Sequence, residues 1–253
     1  MSLTPPDDPD QRPAGEPDPR PADGRAADGE LAGGHPADGH PVDGHLVNGR
    51  PAGEPPDQRP ARQLSLFGVE AAEPSPGDLA GLLAGPGEVV RMGGTARVSI
   101  VVDAAWRVHV LVAELARRGL DASWIGRVEE QHGVRTSYTT RLAPLAASWL
   151  RGTVKRPPPG FFLTGPRLRL WAAAAGHPDQ VGFRLRLGAA DEVCWEPVGA
   201  ALAAVGLPAV LLDPGAGGPA YRITGRRRLA RLAELVGDRP PAAPPDRWPG
   251  VAG

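Results

Sequence analysis

The sequence predicts an α+β body made of two pseudo-symmetric halves, each running helix, two strands, helix, two strands, helix, behind a long arm that builds no core. Three observations lead there. All twelve aromatic residues lie from Phe67 onward, so only that part can supply an ordinary hydrophobic core. Within it, two consecutive stretches run through the same order of apolar periodicities, as an internal duplication would. The charge is also divided. Residues 1–63 hold 6 Arg against 12 Asp and Glu, which leaves 22 basic and 17 acidic residues for the rest, a net +5 hidden under the chain's −1. An acidic arm on a basic body fits nucleic-acid contact by the body.

The arm comes first. From Arg20 the chain advances in five-residue steps, RPADG, RAADG, ELAGG, HPADG, HPVDG, HLVNG, RPAGE. A period of five matches neither helix nor strand, and the Asp-Gly and Asn-Gly endings favour turns. With so little to bury, residues 1–62 are predicted to be disordered. His35, His40 and His45 recur with the repeat, but composition favours a spacer over a metal tract.

Between arm and body stands Gln63-Leu64-Ser65-Leu66-Phe67, the first concentrated apolar segment. It resembles the bacterial sliding-clamp-binding motif, which docks polymerases and repair factors on the replication clamp. An extended peptide can seat Leu66 and Phe67 in one apolar pocket and Leu64 in a neighbouring one, with the Gln63 amide in a polar subsite. The alternative is a short strand or turn in which the same side chains cover the body's core.

The first half is expected over 78–149, with helix 78–84, strands 89–91 and 97–102, helix 106–118, strands 124–127 and 134–140, and helix 142–149. The second, over 150–238, is expected to start on a helix at 146–154 and continue with strands 167–171 and 183–187, helix 193–205, strands 209–212 and 220–223, and helix 226–236. Each medial helix is followed by a Gly-Leu pair, Gly119-Leu120 and Gly206-Leu207, and Tyr138 and Tyr221 fall at matching places. The Pro-rich tail, 239–253, is expected to be disordered.

Leu79-Ala80-Gly81-Leu82-Leu83-Ala84-Gly85-Pro86-Gly87 resembles the motif of LAGLIDADG homing endonucleases, and Leu150-Arg151-Gly152-Thr153-Val154-Lys155-Arg156-Pro157 is similar to a worn second copy. The resemblance implies paired helices at a central seam, where Gly81 and Gly85 allow close approach and Gly152 is the glycine kept in the second copy, and a saddle-shaped antiparallel sheet that lies on duplex DNA. In the family each seam helix ends in a metal-binding acid. Here the motif positions hold Ala84 and Pro86, then Lys155 and Pro157, none of which can ligate a hard cation. The expectation is therefore a chain without metal, cofactor or enzymatic activity. An endonuclease using displaced acids such as Glu88, or a transcription regulator on a similar domain, are the alternatives.

Strand side chains alternate faces, which would gather Arg97, Arg135, Arg141, Arg167, Arg169, Arg184 and Arg186 with Ser99, Ser137 and Thr139 on one basic face. Arginine reaches phosphates and guanine edges, and Ser and Thr are adaptable partners. Arg226, Arg227 and Arg228 surround the start of the last helix, where phosphate could also bind. Cys194 is the single cysteine, so no internal disulfide forms. Without a leader-like N-terminus or a long apolar run, a cytoplasmic setting with no membrane contact is expected, and the resemblances imply that it is bacterial and nucleoid-associated. The expected partners of a monomeric body are double-stranded DNA and the sliding clamp, in replication or repair.

Overall fold

The computed structural model describes residues 73–127 and 131–250; the arm and the Gln63–Phe67 peptide lie outside the described residues. A 3-10 turn at Pro76–Leu79 leads into helix α1 (Ala80–Ala84). Its start is fixed by Asp78, whose carboxylate accepts from the Ser75 amide at 2.9 Å. The hairpin β1 (Glu88–Met92) and β2 (Thr95–Val102) follows, then α2 (Ala105–Arg117), β3 (Ala122–Gly126), β4 (His132–Thr136) and α3 (Ala143–Trp149). A connector carries the two-residue strands β5 (Leu150–Arg151) and β6 (Val154–Lys155). The second half comprises α4 (Gly165–Ala175), β7 (Gly176–Asp179), β8 (Gly182–Arg186), α5 (Glu192–Ala204), β9 (Val210–Leu212), β10 (Ala220–Thr224) and α6 (Arg226–Val236).

The two halves have the same topology. One four-stranded antiparallel sheet runs β1-β2-β4-β3 and the other β7-β8-β10-β9. In each, one face is apolar and covered by helices. Ala96, Val98, Ile100 and Val102 of β2 are buried, as are Phe183, Leu185, Tyr221 and Ile223 in the second sheet. The intervening residues stay open, as period-two alternation requires.

The seam pairs α1 with α4. A Cβ added at Gly81 would lie 1.9 Å from the Arg167 carbonyl oxygen, and one at Gly85 would lie 2.6 Å from Trp171 Nε1. A side chain at Gly81 would strike the partner backbone, and one at Gly85 would strike the Trp171 ring.

The second half departs from the sequence reading at its start. Residues 146–154 are not a seam helix: α3 stops at Trp149, and Gly152, with φ of 64°, turns the small hairpin. The seam helix is α4, at 165–175, where an Arg-Leu strand was expected. The reason lies in the flanks. Thr164 caps the helix, its hydroxyl accepting from the Arg167 amide, Pro166 sits in the first turn, and a run of four alanines follows. Alanine favours helix and is poor in strands, and this outweighs a four-residue alternation.

The segment 239–250 also differs from the disorder expected of it. Trp248 is buried and donates from Nε1 to the Gly237 carbonyl at 3.3 Å, with the Arg169 guanidinium 5.2 Å from its ring centroid. Arg239 donates to the Ala243 carbonyl, closing a turn that buries Ala243.

Candidate nucleic-acid interface

The open face of the first sheet is set by register. Ser99 stands opposite Arg135, and Arg135 opposite Ser123, so Arg97, Ser99, Ser123 and Arg135 share one side with Glu88, Val90, Met92 and Ile125. Arg135 Nε donates to Ser123 Oγ at 3.3 Å. Arg97 lies 4.7 Å over the Tyr138 ring, and its Nε has no hydrogen-bond partner among the described residues. Stacking on Tyr138 holds this guanidinium in place, with its Nε buried. The exposed Met92 and Ile125 give this face apolar contact points beside its charges.

On the second sheet Arg184 stands opposite Arg222, with Arg186, His177 and Asp179 on the same side. Asp179 answers two of these charges: Arg222 Nε lies 2.6 Å and Arg184 Nε 3.5 Å from its Oδ2. Arg186 keeps 56% of its side chain exposed and lies 3.7 Å from Asp103.

Where the sheets meet the seam, a cavity of about 550 Å³ is lined by Arg97, Arg127, Arg135 and Arg186 with Glu88 and Asp103. Pro86 and Ala175, just past and at the ends of the two seam helices, also line it and offer no ligand atom. No group of three potential metal ligands occurs among the described residues.

A buried cation from outside each seam helix closes that helix's end. Arg107, from α2, donates through Nη1 to the Ala173 carbonyl at 2.8 Å and through Nη2 to the Gly176 carbonyl at 2.6 Å, at the end of α4. Asp103 holds its Nε at 2.8 Å. Lys155, from the connector, donates to the Gly85 and Gly87 carbonyls at 3.0 and 2.7 Å, past the end of α1, and pairs with Asp191 at 2.6 Å. Both satisfy carbonyls that a helix end leaves without partners.

His177 lies 3.3 Å from Asp103 Oδ2. Burial, reinforced by Arg107 and opposed by Asp103, takes its pKa down to about 4, with Arg186 and Arg184 adding to the fall. Burial alone would raise Asp103, but Arg107 and His177 hold it below the usual carboxylate value.

The other predicted site residues go elsewhere. Arg169 is buried in α4, donating from Nε to Glu114 at 2.7 Å and from Nη1 to the Val236 carbonyl at 2.8 Å. Glu114 in turn pairs with Arg118 at 2.7 Å, which reaches Asp78 at 3.1 Å. Arg169 is therefore a cross-half structural ion and leaves the DNA-binding set. Arg167 stacks 4.5 Å over Phe162 and donates to its carbonyl, and Arg141 donates to the Gly119 carbonyl. Both line a separate groove beside α3. Arg226, Arg227 and Arg228 are exposed in the first turn of α6, off the sheet. Gly152 and the buried Pro157 belong to the connector and not to the seam. Sequence reasoning missed Arg107 and His177: an arginine on a helix and a lone histidine carry no pattern until the tertiary fold joins them. Arg127 stood at the end of the expected strand 124–127, and Arg222 lies at the middle of β10.

No protein-family model and no curated protein matches the chain. Among solved structures it is similar to the homing endonuclease I-WcaI bound to its DNA recognition sequence, at 11% identity over 67% of this chain and 84% of that one, with a TM-score of 0.48. It is also similar to I-DmoI in complex with DNA and Mn, at 13% identity over 65% and 98%, TM-score 0.37. Mesophilic variants of the homing endonuclease I-DmoI align at 14% identity over 65% and 97%, TM-score 0.36. Each is a likeness of fold at low identity.

One expectation is corrected here, that the chain is no enzyme. The neighbours are endonucleases. Lys155 and Pro157, read from the sequence as the end of the second seam helix, lie in the connector instead. No helix among the described residues is long and apolar enough to cross a membrane.

Proposed function

We propose that the body binds double-stranded DNA across the open faces of its two sheets, and that the Gln63–Phe67 peptide docks the chain on a sliding clamp. The observation that carries the DNA reading is the cavity at the seam, where Arg97, Arg127, Arg135 and Arg186 converge from both halves on one groove. Among the described residues, four guanidinium groups against two carboxylates favour a polyanion, and the hydroxyls of Ser99 and Ser123 beside exposed Ile125 and Met92 offer polar and methyl contacts for base edges. The residues proposed for DNA are Arg97, Arg127, Arg135, Arg184, Arg186 and Arg222, with Arg226, Arg227 and Arg228 as outlying phosphate contacts. The clamp reading is supported by the sequence of the peptide and by its place ahead of the body, with the acidic 1–62 segment as the arm before it.

Affinity for mixed-sequence duplexes, measured by fluorescence anisotropy over a salt series, tests the DNA reading. The expected result is a log affinity that falls linearly with log salt, by about 0.9 for each phosphate neutralised. Binding that ignores salt, or no binding at low salt, overturns it.

A further inference from the structure

Away from the open sheet faces, α3 and the connector enclose a groove of about 400 Å³. Its apolar lining comes from Leu145, Trp149, Pro158, Phe161 and Phe162, with Arg141 and Arg167 at its polar margin. Trp149 and Phe161 meet edge to face, with ring centroids 5.1 Å apart, while Phe162 is 56% exposed. Its volume falls within the about 300–1,000 Å³ of ligand pockets, and the exposed Phe162 gives it an apolar wall.

The chain itself supplies a matching occupant. Gly77 lines this groove, so the polypeptide enters the described body at its edge. Ten residues upstream lies Phe67, and ten residues reach on the order of 35 Å when extended, so every part of the groove is within range of the peptide. Leu64, Leu66 and Phe67 are the nearest large apolar cluster upstream, beyond the lone Val69, and Glu70 and Glu73 behind them carry charge opposite to Arg141 and Arg167. A tether this short makes the encounter intramolecular and raises the effective concentration to the millimolar range.

We infer that the groove beside α3 receives Leu64, Leu66 and Phe67 of the same chain. Where the clamp reading also holds, groove and clamp compete for these side chains, so the peptide is offered to the clamp only when it leaves the body. This competition rests on the clamp proposal; occupation of the groove does not.

The test uses the full chain with the photocrosslinking amino acid benzoylphenylalanine at position 67. Irradiation of the protein alone is expected to link position 67 to groove residues, 144–149 or 158–162, within one chain, as read by peptide mass spectrometry. Phe162→Asp alters an exposed residue off the open sheet faces, so the melting temperature is expected to hold while the crosslink falls at least fivefold. Crosslinks that map elsewhere, join two chains, or persist undiminished in a folded Phe162→Asp protein overturn the assignment. Added clamp is expected to suppress the crosslink, and Phe162→Asp to bind clamp more tightly than the parent. A groove crosslink alongside a clamp that binds neither protein overturns the clamp reading and the competition; clamp binding without a groove crosslink overturns the groove.

Discussion

The two halves share a strand order, yet they hold their seam helices and charge their open faces differently. In the first half α1 is a short helix whose Gly81 admits the partner backbone and whose C-cap Gly85 admits the Trp171 ring, and Lys155 closes its end from the connector. In the second, α4 is an eleven-residue helix with bulky Trp171 against Gly85, closed by Arg107 from the first half. Among the described residues the first open face gives Arg97 and Arg135 no acid partner, while the second ties Arg184 and Arg222 to Asp179. A duplicated frame fixes where side chains stand, and each copy then distributes glycine, cation and acid in its own way. The difference is open to test at the seam, at the helix ends and on the faces.

The largest effect is expected at the seam. Gly81→Val places its Cβ against the Arg167 carbonyl, a backbone atom that cannot turn aside, and should cost about 3 kcal/mol or more. Gly152→Ala, at the other glycine of the presumed motif, stands in open space and pays only for a positive φ, about 1 kcal/mol. Chemical denaturation of both separates a seam glycine from a turn glycine; equal losses would remove the close approach from the account.

Next come the two helix-end cations. Arg107→Met leaves the Ala173 and Gly176 carbonyls without donors, and Lys155→Met does the same for Gly85 and Gly87. Each is expected to lose about 2–3 kcal/mol, since a buried carbonyl without a donor costs about 1–3 kcal/mol. Thermal unfolding of the two variants should show similar losses, and a change below about 0.5 kcal/mol in either would deny that cation its structural role.

This contrast also explains what the sequence made legible. The strands and helices of the first half and the open-face placement of Arg97, Arg135, Arg184 and Arg186 follow from period alone, while the seam role of Gly81 and Gly85 comes from the resemblance of their motif. Arg169 misled because RLRL over four residues carries the same alternation in a strand as the interior and exterior of a helix carry by chance. Its burial depends on Glu114, 55 positions away, which local pattern cannot supply. Trp248 was set aside for the same reason, its partners Gly237 and Arg169 being evident only once the chain folds back.

On the open faces, Arg97→Ala combined with Arg135→Ala is expected to weaken duplex binding about 30-fold, or about 2 kcal/mol, and to flatten the salt slope by roughly two. Arg184→Ala with Arg222→Ala should cost less, about fivefold, because the pair already answers Asp179. Anisotropy titrations at two salt concentrations give both numbers, and the reverse ranking would mean that the second sheet, despite its acid, makes the main contact.

The smallest effect concerns His177, which faces Asp103, Arg107, Arg184 and Arg186 where the second sheet leaves the seam. Burial first, and the Arg107 charge second, take its pKa from 6.5 down to about 4. The unfolded chain therefore binds this proton more readily than the folded one, so the neutral ring contributes full stability above pH 6.5 and loses it as the pH falls toward 4. With a fifth of the side chain open to water, the contribution is on the order of 1 kcal/mol. His177→Gln should remove that slope: unfolding free energies of the two proteins, measured from pH 7 to pH 4, are expected to converge at the acid end. Parallel curves would place the neutral imidazole outside the balance at the seam, and would leave Asp103, Arg107 and Arg186 to hold that corner of the second half by themselves.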